Sequence, residues 1–263
     1  MPLEQRAEYR HLTARKEGAI ATLVLSRPER KNALGPVLIN ELLWALDDAR
    51  DDPEVRVVVL AGAGKAFCAG ADLHEMTGPS EESGLPPRGD LAQLLLRFPK
   101  LHKPVIAKVH GCALGGGLGL AASCHFALAG ESATLGTPEI LRGLFPMQIM
   151  AVLARLMPQR QLLEMTLLGL TVSAATAASW GILTRVVADS ALDEEVASLA
   201  QSLSERSPTA VRAGLNAFDQ QSGKPLEETI PYLRGQLMEL LSQPDAIEGL
   251  MAFMQKRPPV WRS

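Results

Sequence analysis

The chain has 263 residues, of which 47% are hydrophobic and 21% charged, enough to bury a substantial core and too apolar for a disordered protein. Its net charge of -3 and its 4% of aromatic residues argue against nucleic acids and anionic membranes as partners. No stretch approaches the ~20 consecutive apolar residues of a membrane helix, so the composition predicts an ordinary soluble globular protein.

The first half of the chain alternates strands with helices, as α/β proteins do. Residues 1–8 carry charges of both signs and no apolar region, which predicts that they are not a signal peptide. Short apolar or alternating runs that end at glycine or proline indicate strands, and the turn at Glu17-Gly18 joins the first two as a hairpin. Residues 78–90 combine turn formers with charges and predict a mobile surface loop. The predicted strands cover 9–15, 19–26, 55–61 and 104–110, and the predicted helices run from 36 to about 51 and from 91 to 101.

Two of these strands are followed by the same arrangement, a glycine-rich turn and then the start of a helix. Residues 57–60 lead through Gly62 to the segment 69–72, and residues 105–109 lead through Gly111 to the triplet 115–117. Such a repeat favours a stacked or wound α/β architecture with right-handed crossovers.

The second half of the chain is mostly helical, with one short strand predicted over 182–187. We expect residues 1–204 to form the core domain and residues 205–263 a helical region, with no flexible linker between them. The predicted helices cover 146–156, 159–168, 173–179, 191–204, 210–218, 226–241 and 246–254.

The glycine turns do not fit the nucleotide-binding motifs. A dinucleotide fingerprint that starts at Gly115 needs glycine where Leu120 stands, and a phosphate loop that ends at Lys65 needs glycine where Val59 stands. A Gly-x-Ser-x-Gly elbow is absent from the sequence, which weakens a serine hydrolase. The three cysteines form no CxxC pair, which predicts a reducing, cytoplasmic location, and Cys124-His125 lacks a second ligand pair, so we expect no metal.

The two turns do offer backbone N–H groups. Such groups at a helix N-terminus are unpaired and carry the positive end of the helix dipole. Two that converge on one point would form an oxyanion hole for a carbonyl that gains charge, and glycine would let a substrate approach closely. The alternative is that these glycines only allow the helices to pack on the strands.

Several ordered motifs resemble the crotonase superfamily, that is, the enoyl-CoA hydratase/isomerase family. The resemblance covers almost the whole chain and implies an α/β fold, a crotonase-like spiral of repeated ββα units with a C-terminal helical trimerisation region. It also implies an acyl-CoA thioester as substrate, no metal or redox cofactor, and a homotrimer or a dimer of trimers. The motifs are FCAGADL (67–73), KPVIA (103–107), GCALGGG (111–117) and PEI (138–140), supported by RP (27–28), NAL (32–34) and FMQKR (253–257).

The same resemblance implies the site residues. The backbone amides of Ala71 and Gly116 would hold the thioester oxygen, and Glu139 would transfer the proton. The contacts to the rest of the substrate would come from Ala69, Asp72 and Leu73 around the adenine, from Lys31 and Lys256 (with Lys65 and Arg257) at the phosphates, and from Met147 with Ile149 and Met150 at the acyl group. For each basic residue taken alone, a solvated surface position is the alternative, and for Met147 it is helix core.

The chain departs from the hydratases of this family at one catalytic position. They carry two glutamates, one in the Pro-Glu-Ile motif and one two residues after the glycine triplet, where this chain has Gly119. Two carboxylates share the addition of water easily, whereas one carboxylate suffices to move a proton from C2 to C4. The monofunctional isomerases resemble this chain in keeping only the Glu139 position, so we expect a shift of the double bond of an enoyl-CoA.

Three alternatives stay open: hydration of 2-enoyl-CoA by a single glutamate, acyl-CoA binding without catalysis, and a decarboxylase or hydrolase that uses a further polar group such as His74 or Gln148. Many relatives also have Pro-Gly-x-Gly-Gly where this chain has FPMQI (145–149), so the shape of the acyl pocket is open. His125 replaces a common acidic residue, and we expect it to be structural.

Overall fold

The structure is a computed structural model, and it describes residues 9–77 and 84–261. The residues in these two stretches form a mixed α/β fold with nine strands and eleven α-helices. The strands are β1 (Leu12–Glu17), β2 (Ile20–Leu25), β3 (Val57–Gly62), β4 (Val105–Val109), β5 (Cys112–Leu114), β6 (Phe126–Gly130), β7 (Thr134–Gly136), β8 (Thr171–Ser173) and β9 (Arg185–Val187).

The helices dominate the second half of the chain, as predicted. A short 3-10 helix (Pro138–Arg142) stands among them and bears on the site. The α-helices are α1 (Pro36–Asp51), α2 (Leu73–Thr77), α3 (Leu91–Leu95), α4 (Gly116–Ser123), α5 (Met147–Leu153), α6 (Gln159–Leu168), α7 (Ala174–Ser179), α8 (Leu192–Ser204), α9 (Pro208–Gln221), α10 (Leu226–Leu241) and α11 (Pro244–Met254).

Six strands form one sheet in the order β1-β2-β3-β4-β6-β9, and β5-β7-β8 form a second, smaller sheet. The predicted hairpin is confirmed, since β1 pairs antiparallel with β2, while β2, β3, β4, β6 and β9 run parallel. In the smaller sheet, β5 pairs parallel with β7, and β7 pairs antiparallel with β8. The carboxyl ends of β3 and β4 are therefore neighbours, which brings the two glycine-rich turns to the same edge of the sheet.

Both faces of the large sheet are covered, and this explains why β3 is apolar at every position. Val57 and Val59 pack in one cluster with α8, which contributes Leu192 and Val196. The alternate side chains of β3 belong to the larger core cluster on the other face, where α1 supplies a row of buried leucines. The side chains of α1 in this cluster are Leu38, Leu42, Leu43, Leu46 and two alanines.

Two sequence predictions need correction. The helix predicted over 91–101 ends at Leu95, and a separate 3-10 turn covers Pro99–Leu101, because proline has no N–H to continue the α-helix. Of the loop predicted over 78–90, residues 78–83 lie outside the described residues. The rest is fastened to α1, since the Asn40 amide donates to the carbonyls of Leu85 and Pro86.

The C-terminal helices have a different character from the core. Helices α9, α10 and α11 pack mainly on one another, whereas α8 packs on β3, β4 and β6. Large apolar side chains remain exposed on them, among them Phe218, Leu226, Ile230, Leu237, Leu250, Phe253 and Met254. The domain division after residue 204 and the assembly into trimers stay predictions. Among the described residues, no helix is long and apolar enough to cross a membrane.

Candidate active site

The two glycine-rich turns are joined by backbone hydrogen bonds. The N–H of Cys68 donates to the carbonyl of Cys112 at 3.0 Å, and the N–H of Leu114 donates to the carbonyl of Cys68 at 2.9 Å. Gly70 packs so closely that a Cβ atom added to it would lie 2.7 Å from the carbonyl oxygen of Leu114 and 3.5 Å from the nitrogen of Gly116. The turn after β3 therefore lies directly against the start of α4.

The N–H groups of Ala71 and Gly116 are available in this contact. Leu34 donates to the carbonyl of Gly70 at 2.7 Å and accepts from the N–H of Asp72 at 3.0 Å. Because backbone groups alternate in direction along an extended segment, the N–H of Ala71 between them points away from Leu34. Gly116 is the first residue of α4, whose N–H has no partner within the helix. No backbone hydrogen bond from either nitrogen occurs within 9–77 and 84–261.

These two nitrogens belong to neighbouring backbone segments. A Cβ atom added to Gly116 would lie 3.9 Å from the nitrogen of Ala71. A small electronegative atom could therefore accept hydrogen bonds from both N–H groups, at the positive end of the dipole of α4. The geometry agrees with the predicted oxyanion hole, whose role stays a prediction.

Glu139 lies beside this amide pair. Gly115, directly before α4, has φ 50° and ψ -123°, and a Cβ atom added to it would lie 2.6 Å from Glu139 Oε1. Glycine is thus required twice at this position, by the left-handed backbone and by the contact with the carboxylate. The carboxylate rests against the residue whose neighbour, Gly116, supplies one of the two available N–H groups.

The 3-10 helix that carries Glu139 is held in place at its N-terminal end. The buried Thr137 side chain donates to the carbonyl of Met165 at 3.0 Å, and Pro138 opens the helix with a fixed φ. The Oε2 atom of Glu139 is buried and has no hydrogen-bond partner among the described residues. Burial raises the pKa of Glu139, which its own backbone N–H and the charge of Arg142 only partly oppose. A partly buried carboxylate with a raised pKa is a stronger base than an ordinary glutamate, which suits a group that transfers protons.

The side of α4 that holds Gly119 is apolar. A Cβ atom added to Gly119 would lie 3.0 Å from the Cβ of Ile149 and 3.8 Å from a methyl group of Leu95. Gly116 likewise faces methyl groups of Leu34 and Leu91, at 3.0 and 3.6 Å. Ile149 is only 3% exposed, so the space beside Gly119 is filled by a hydrocarbon side chain from α5.

A buried ion cluster holds the loop that contains Ala71. The guanidinium of Arg27 lies 3.2 Å from Asp72 Oδ2 and 2.7 Å from Glu75 Oε1, and all three side chains are less than a tenth exposed. Arg27 also donates to the carbonyl of Ala33 at 3.2 Å. Since Asp72 follows Ala71 directly, this cluster holds the backbone next to Ala71 and thereby the orientation of the Ala71 N–H.

A second ion cluster fastens the leucines that form the apolar side. The carboxylate of Asp47 on α1 is 2% exposed and pairs with Arg50 at 2.9 Å, with Arg97 at 3.0 Å and with Arg88. The Arg88 guanidinium also lies 3.4 Å from the ring centre of Trp44. These contacts hold the segment on both sides of α3, and thereby Leu91 and Leu95, against α1.

The predicted substrate contacts are only partly brought together. Ala69 donates to the carbonyl of Lys31 at 2.9 Å, which places the exposed Lys31 beside the loop at 69–73. Leu73 is 41% exposed there, and Met147 is 67% exposed at the start of α5. The carboxylate of Asp72 turns inward to Arg27, so only the backbone of this residue is left for a ligand.

The predicted phosphate contacts near the C-terminus do not join this group within the chain. Lys256 follows α11, which packs on α9 and α10. The Arg257 guanidinium is already paired with both oxygens of Glu248, at 2.6 and 3.0 Å. No hydrogen bond or ion pair within the described ranges links Lys256 to the loop at 69–73, and its role stays a prediction.

The remaining candidates have ordinary positions. His74 and Gln148 are exposed. His125 is partly buried and accepts a hydrogen bond from the N–H of Val105 at 3.0 Å, and desolvation lowers its pKa to about 4, as expected for a structural histidine. In the part of the chain that the structure describes, no group of three or more histidine, cysteine or acidic residues could hold a metal ion.

Sequence reasoning missed the Ile149–Gly119 contact and the two ion clusters. The one signal for the former was the FPMQI segment (145–149), which replaces a glycine-rich stretch of many relatives. Arg27 and Glu75 stand 48 residues apart, and no local pattern indicates that they pair.

Comparison with known proteins identifies relatives over nearly the whole chain. Residues 15–263 match the family described as enoyl-CoA hydratase/isomerase. The chain is 37% identical to carnitinyl-CoA dehydratase from Salmonella typhi, covering 97% of this chain and 99% of that protein. It is 31% identical to mitochondrial enoyl-CoA hydratase domain-containing protein 3 from Danio rerio, covering 94% of this chain and 86% of that protein.

Solved structures agree with this result. An enoyl-CoA hydratase from Mycobacterium smegmatis superimposes with a TM-score of 0.88 at 33% identity, covering 97% of this chain and 100% of that chain. Human enoyl-CoA hydratase domain-containing protein 3 superimposes with a TM-score of 0.86 at 31% identity, covering 96% of this chain and 100% of that chain. Both superpositions cover at least 96% of this chain, so the similarity includes the C-terminal helices.

Proposed function

Since the chain belongs to the enoyl-CoA hydratase/isomerase family, we propose that it is an acyl-CoA enzyme that stabilises a thioester enolate between two backbone amides. The membership and the structural neighbours confirm the predicted crotonase-like α/β fold with its helical C-terminal region. The proposal beyond the family concerns the reaction: a single glutamate, Glu139, shifts the double bond of a 3-enoyl-CoA to the 2-position.

The thioester oxygen would accept hydrogen bonds from the N–H groups of Ala71 and Gly116. Loss of a proton from C2 places negative charge on this oxygen, so the two donors stabilise the transition state more than the ground state. In other enzymes the removal of one such donor raises the barrier by about 3–4 kcal/mol. Because both donors are backbone groups held in place by turns, they need no reorganisation when the charge develops.

Glu139 would transfer the proton between two carbons of the same substrate. Its carboxylate takes the proton from C2 as the C2–H bond breaks, and the electron pair passes into the enolate. The enolate then returns its electron pair, which restores the thioester carbonyl and forms the C2–C3 double bond. The C3–C4 double bond breaks, and its electron pair takes the same proton from the protonated Glu139 at C4. A raised pKa favours both steps, because it makes the carboxylate a stronger base while the acid form can still donate.

The observation that carries this reaction over hydration is the contact of Ile149 with Gly119. Addition of water needs one group to orient and deprotonate the water and another to protonate the α-carbon. The apolar side of the site supplies neither, whereas a proton shuttle between C2 and C4 needs only Glu139. Hydration of a 2-enoyl-CoA is the second candidate, because relatives bear the names enoyl-CoA hydratase and carnitinyl-CoA dehydratase.

A paired assay on the purified protein tests the reaction. We expect isomerisation of a 3-enoyl-CoA to be faster than hydration of the matching 2-enoyl-CoA, and exchange of solvent deuterium at C2 is followed alongside. Faster hydration would replace the isomerase by the hydratase. Tight acyl-CoA binding with neither activity and no exchange would indicate a binding protein without catalysis.

Three further proposals come from the family and the sequence. The charge on the substrate oxygen is held by amides, so the reaction as proposed uses no metal and no redox cofactor. The exposed apolar side chains of α9–α11 support a homotrimer or a dimer of trimers, which sedimentation at several concentrations would reveal. The cysteines at 68, 112 and 124 are free, which supports the reducing cytoplasm as the location.

A further inference from the structure

We propose that Ile149 is a specificity-determining residue that keeps the site from adding water to its substrate. It does so by filling the space beside Gly119 with hydrocarbon, so that Glu139 is the one carboxylate that the described residues place against the start of α4. This inference rests on the proposed function and deepens it, because it names the residue that decides between proton transfer and hydration.

The contact between α4 and α5 leaves no room at Gly119. The Cβ of Ile149 would lie 3.0 Å from a Cβ atom on Gly119, and its Cγ2 methyl group would come closer still. Ile149 is 3% exposed and belongs to the main core cluster, so it does not move aside without opening the core. A glutamate, or any other side chain, at position 119 therefore requires a smaller residue at position 149.

Ile149 and Glu139 face the same stretch of α4. The carboxylate of Glu139 touches Gly115 and the side chain of Ile149 touches Gly119, and these glycines are joined by a 3.0 Å hydrogen bond from the N–H of Gly119 to the carbonyl of Gly115. Four residues along a helix correspond to about 6 Å. The carboxylate and the isoleucine methyl groups thus stand about one helical turn apart.

A water molecule between them would lack the partners it needs. A buried water makes about three hydrogen bonds on average. Here Glu139 offers acceptors on one side, and in the proposed reaction the N–H groups of Ala71 and Gly116 are taken by the thioester oxygen. The side chains that Gly116 and Gly119 contact are hydrocarbon, from Leu34, Leu91, Leu95 and Ile149. No water is oriented to attack C3, so the site does not form the enolate by addition of water. It forms the enolate by loss of a proton from C2, and Glu139 then protonates it.

An isosteric pair of substitutions tests the inference. Ile149→Val and Ile149→Thr remove the same methylene group and differ only in a methyl against a hydroxyl, so cavity effects cancel between them. We expect the ratio of hydration to isomerisation to be at least about tenfold higher in Ile149→Thr, a modest part of the 10²–10⁴-fold typical of acid–base groups. Ile149→Val should keep the ratio of the wild type within about twofold.

A second variant covers the case in which the threonine hydroxyl bonds to its own helix. Gly119→Glu combined with Ile149→Gly exchanges the isoleucine for a carboxylate, and we expect it to hydrate 2-enoyl-CoA, whereas Gly119→Glu alone does not. Thermal unfolding of each variant confirms that the compared proteins are folded. Equal ratios in the isosteric pair, together with no gain of hydration in the folded double variant, would overturn the role of Ile149.

The wild-type assay separates this failure from that of the proposed function. If the wild type isomerises and the variants keep its ratio, the reaction stands and the inference about Ile149 is wrong. If the wild type hydrates faster than it isomerises with Ile149 in place, the inference is wrong together with the proposed reaction.

Discussion

The two amides of the proposed oxyanion hole each have acidic residues next to them, and the two acidic regions are built in opposite ways. Behind Ala71, Asp72 and Glu75 share the buried guanidinium of Arg27. Burial alone would raise the pKa of Asp72, but backbone hydrogen bonds and the charge of Arg27 hold it below its ordinary value. Before Gly116, Glu139 forms no salt bridge with any residue that the structure describes, and burial raises its pKa.

The difference in pairing separates carboxylates that hold the backbone in place from a carboxylate that can transfer a proton. A carboxylate that is paired and hydrogen-bonded stays ionised and holds its loop, but it has no tendency to take up a proton at neutral pH. An unpaired, half-buried carboxylate costs stability and gains basicity. The raised pKa of Glu139 and its place against Gly115 support it as the proposed proton-transfer residue. The salt bridges of Arg27 to Asp72 and Glu75 support a positioning role for that cluster.

The largest expected effect follows from Glu139→Gln, which removes the proton acceptor while keeping the shape. We expect turnover to fall by 10²–10⁴-fold, the range typical of general acid–base groups, with acyl-CoA binding nearly unchanged. Thermal stability should not decrease, because an ionised carboxylate without a partner is replaced by a neutral amide. Turnover within tenfold of the wild type would exclude Glu139 as the proton-transfer residue.

Arg27→Met is expected to act on the other acidic region, and on stability first. It leaves two buried carboxylates without their cation, and loss of one member of a buried ion pair costs about 3–5 kcal/mol. Urea unfolding measures this loss. Glu75→Gln is the matched control, because Arg27 then still pairs with Asp72 and still donates a hydrogen bond to the side-chain amide oxygen at position 75. A loss in Glu75→Gln as large as in Arg27→Met would mean that the cluster does not act through its arginine.

The smallest expected effect concerns pH: as the pH falls, kcat/KM should decrease before the free energy of unfolding that Asp72 contributes. Glu139 must be ionised to accept a proton, so kcat/KM should fall tenfold per pH unit below a midpoint above the ordinary value of 4.5. Asp72 has a lowered pKa, so its stabilising contribution is present above 3.8 and is lost only as the pH falls further. Activity should therefore decline first.

The pH dependence of the contribution of Asp72 is checked by unfolding of the wild type and Asp72→Asn over about pH 3 to pH 7. Their difference in free energy of unfolding should stay constant across the acid limb of activity and shrink only below it. A difference that shrinks together with kcat/KM would mean that Asp72 titrates with the catalytic group.

Local signals in the sequence were sufficient for much of the fold. The hairpin, β3, β4 and most helices follow from apolar spacing and from proline and glycine at the ends of elements. The short strands β5, β7 and β8 have three residues each, too few for alternation to show, and β6 reads FALAG, which carries little strand propensity.

The site was predictable where it depends on backbone and motif, and not where it depends on packing. The amides of Ala71 and Gly116 follow from glycine turns after neighbouring strands. The contact of Ile149 with Gly119 joins two helices, and a periodic pattern reports that a side chain is buried without reporting what it touches. The inward turn of Asp72 depends on Arg27, which lies 45 positions earlier in the chain, and no rule of local spacing relates them.

The Asp47 cluster on α1 has a consequence for how this protein could diversify. Leu91 and Leu95 on the apolar side are held through arginines to α1, whereas the loops of the proposed reacting groups are held through Arg27 and Thr137. Accommodation of longer or bulkier chains could thus be altered at α3 while the catalytic apparatus is left intact. Selection, or an engineer, could retune the range of accepted molecules and the type of conversion as separate traits.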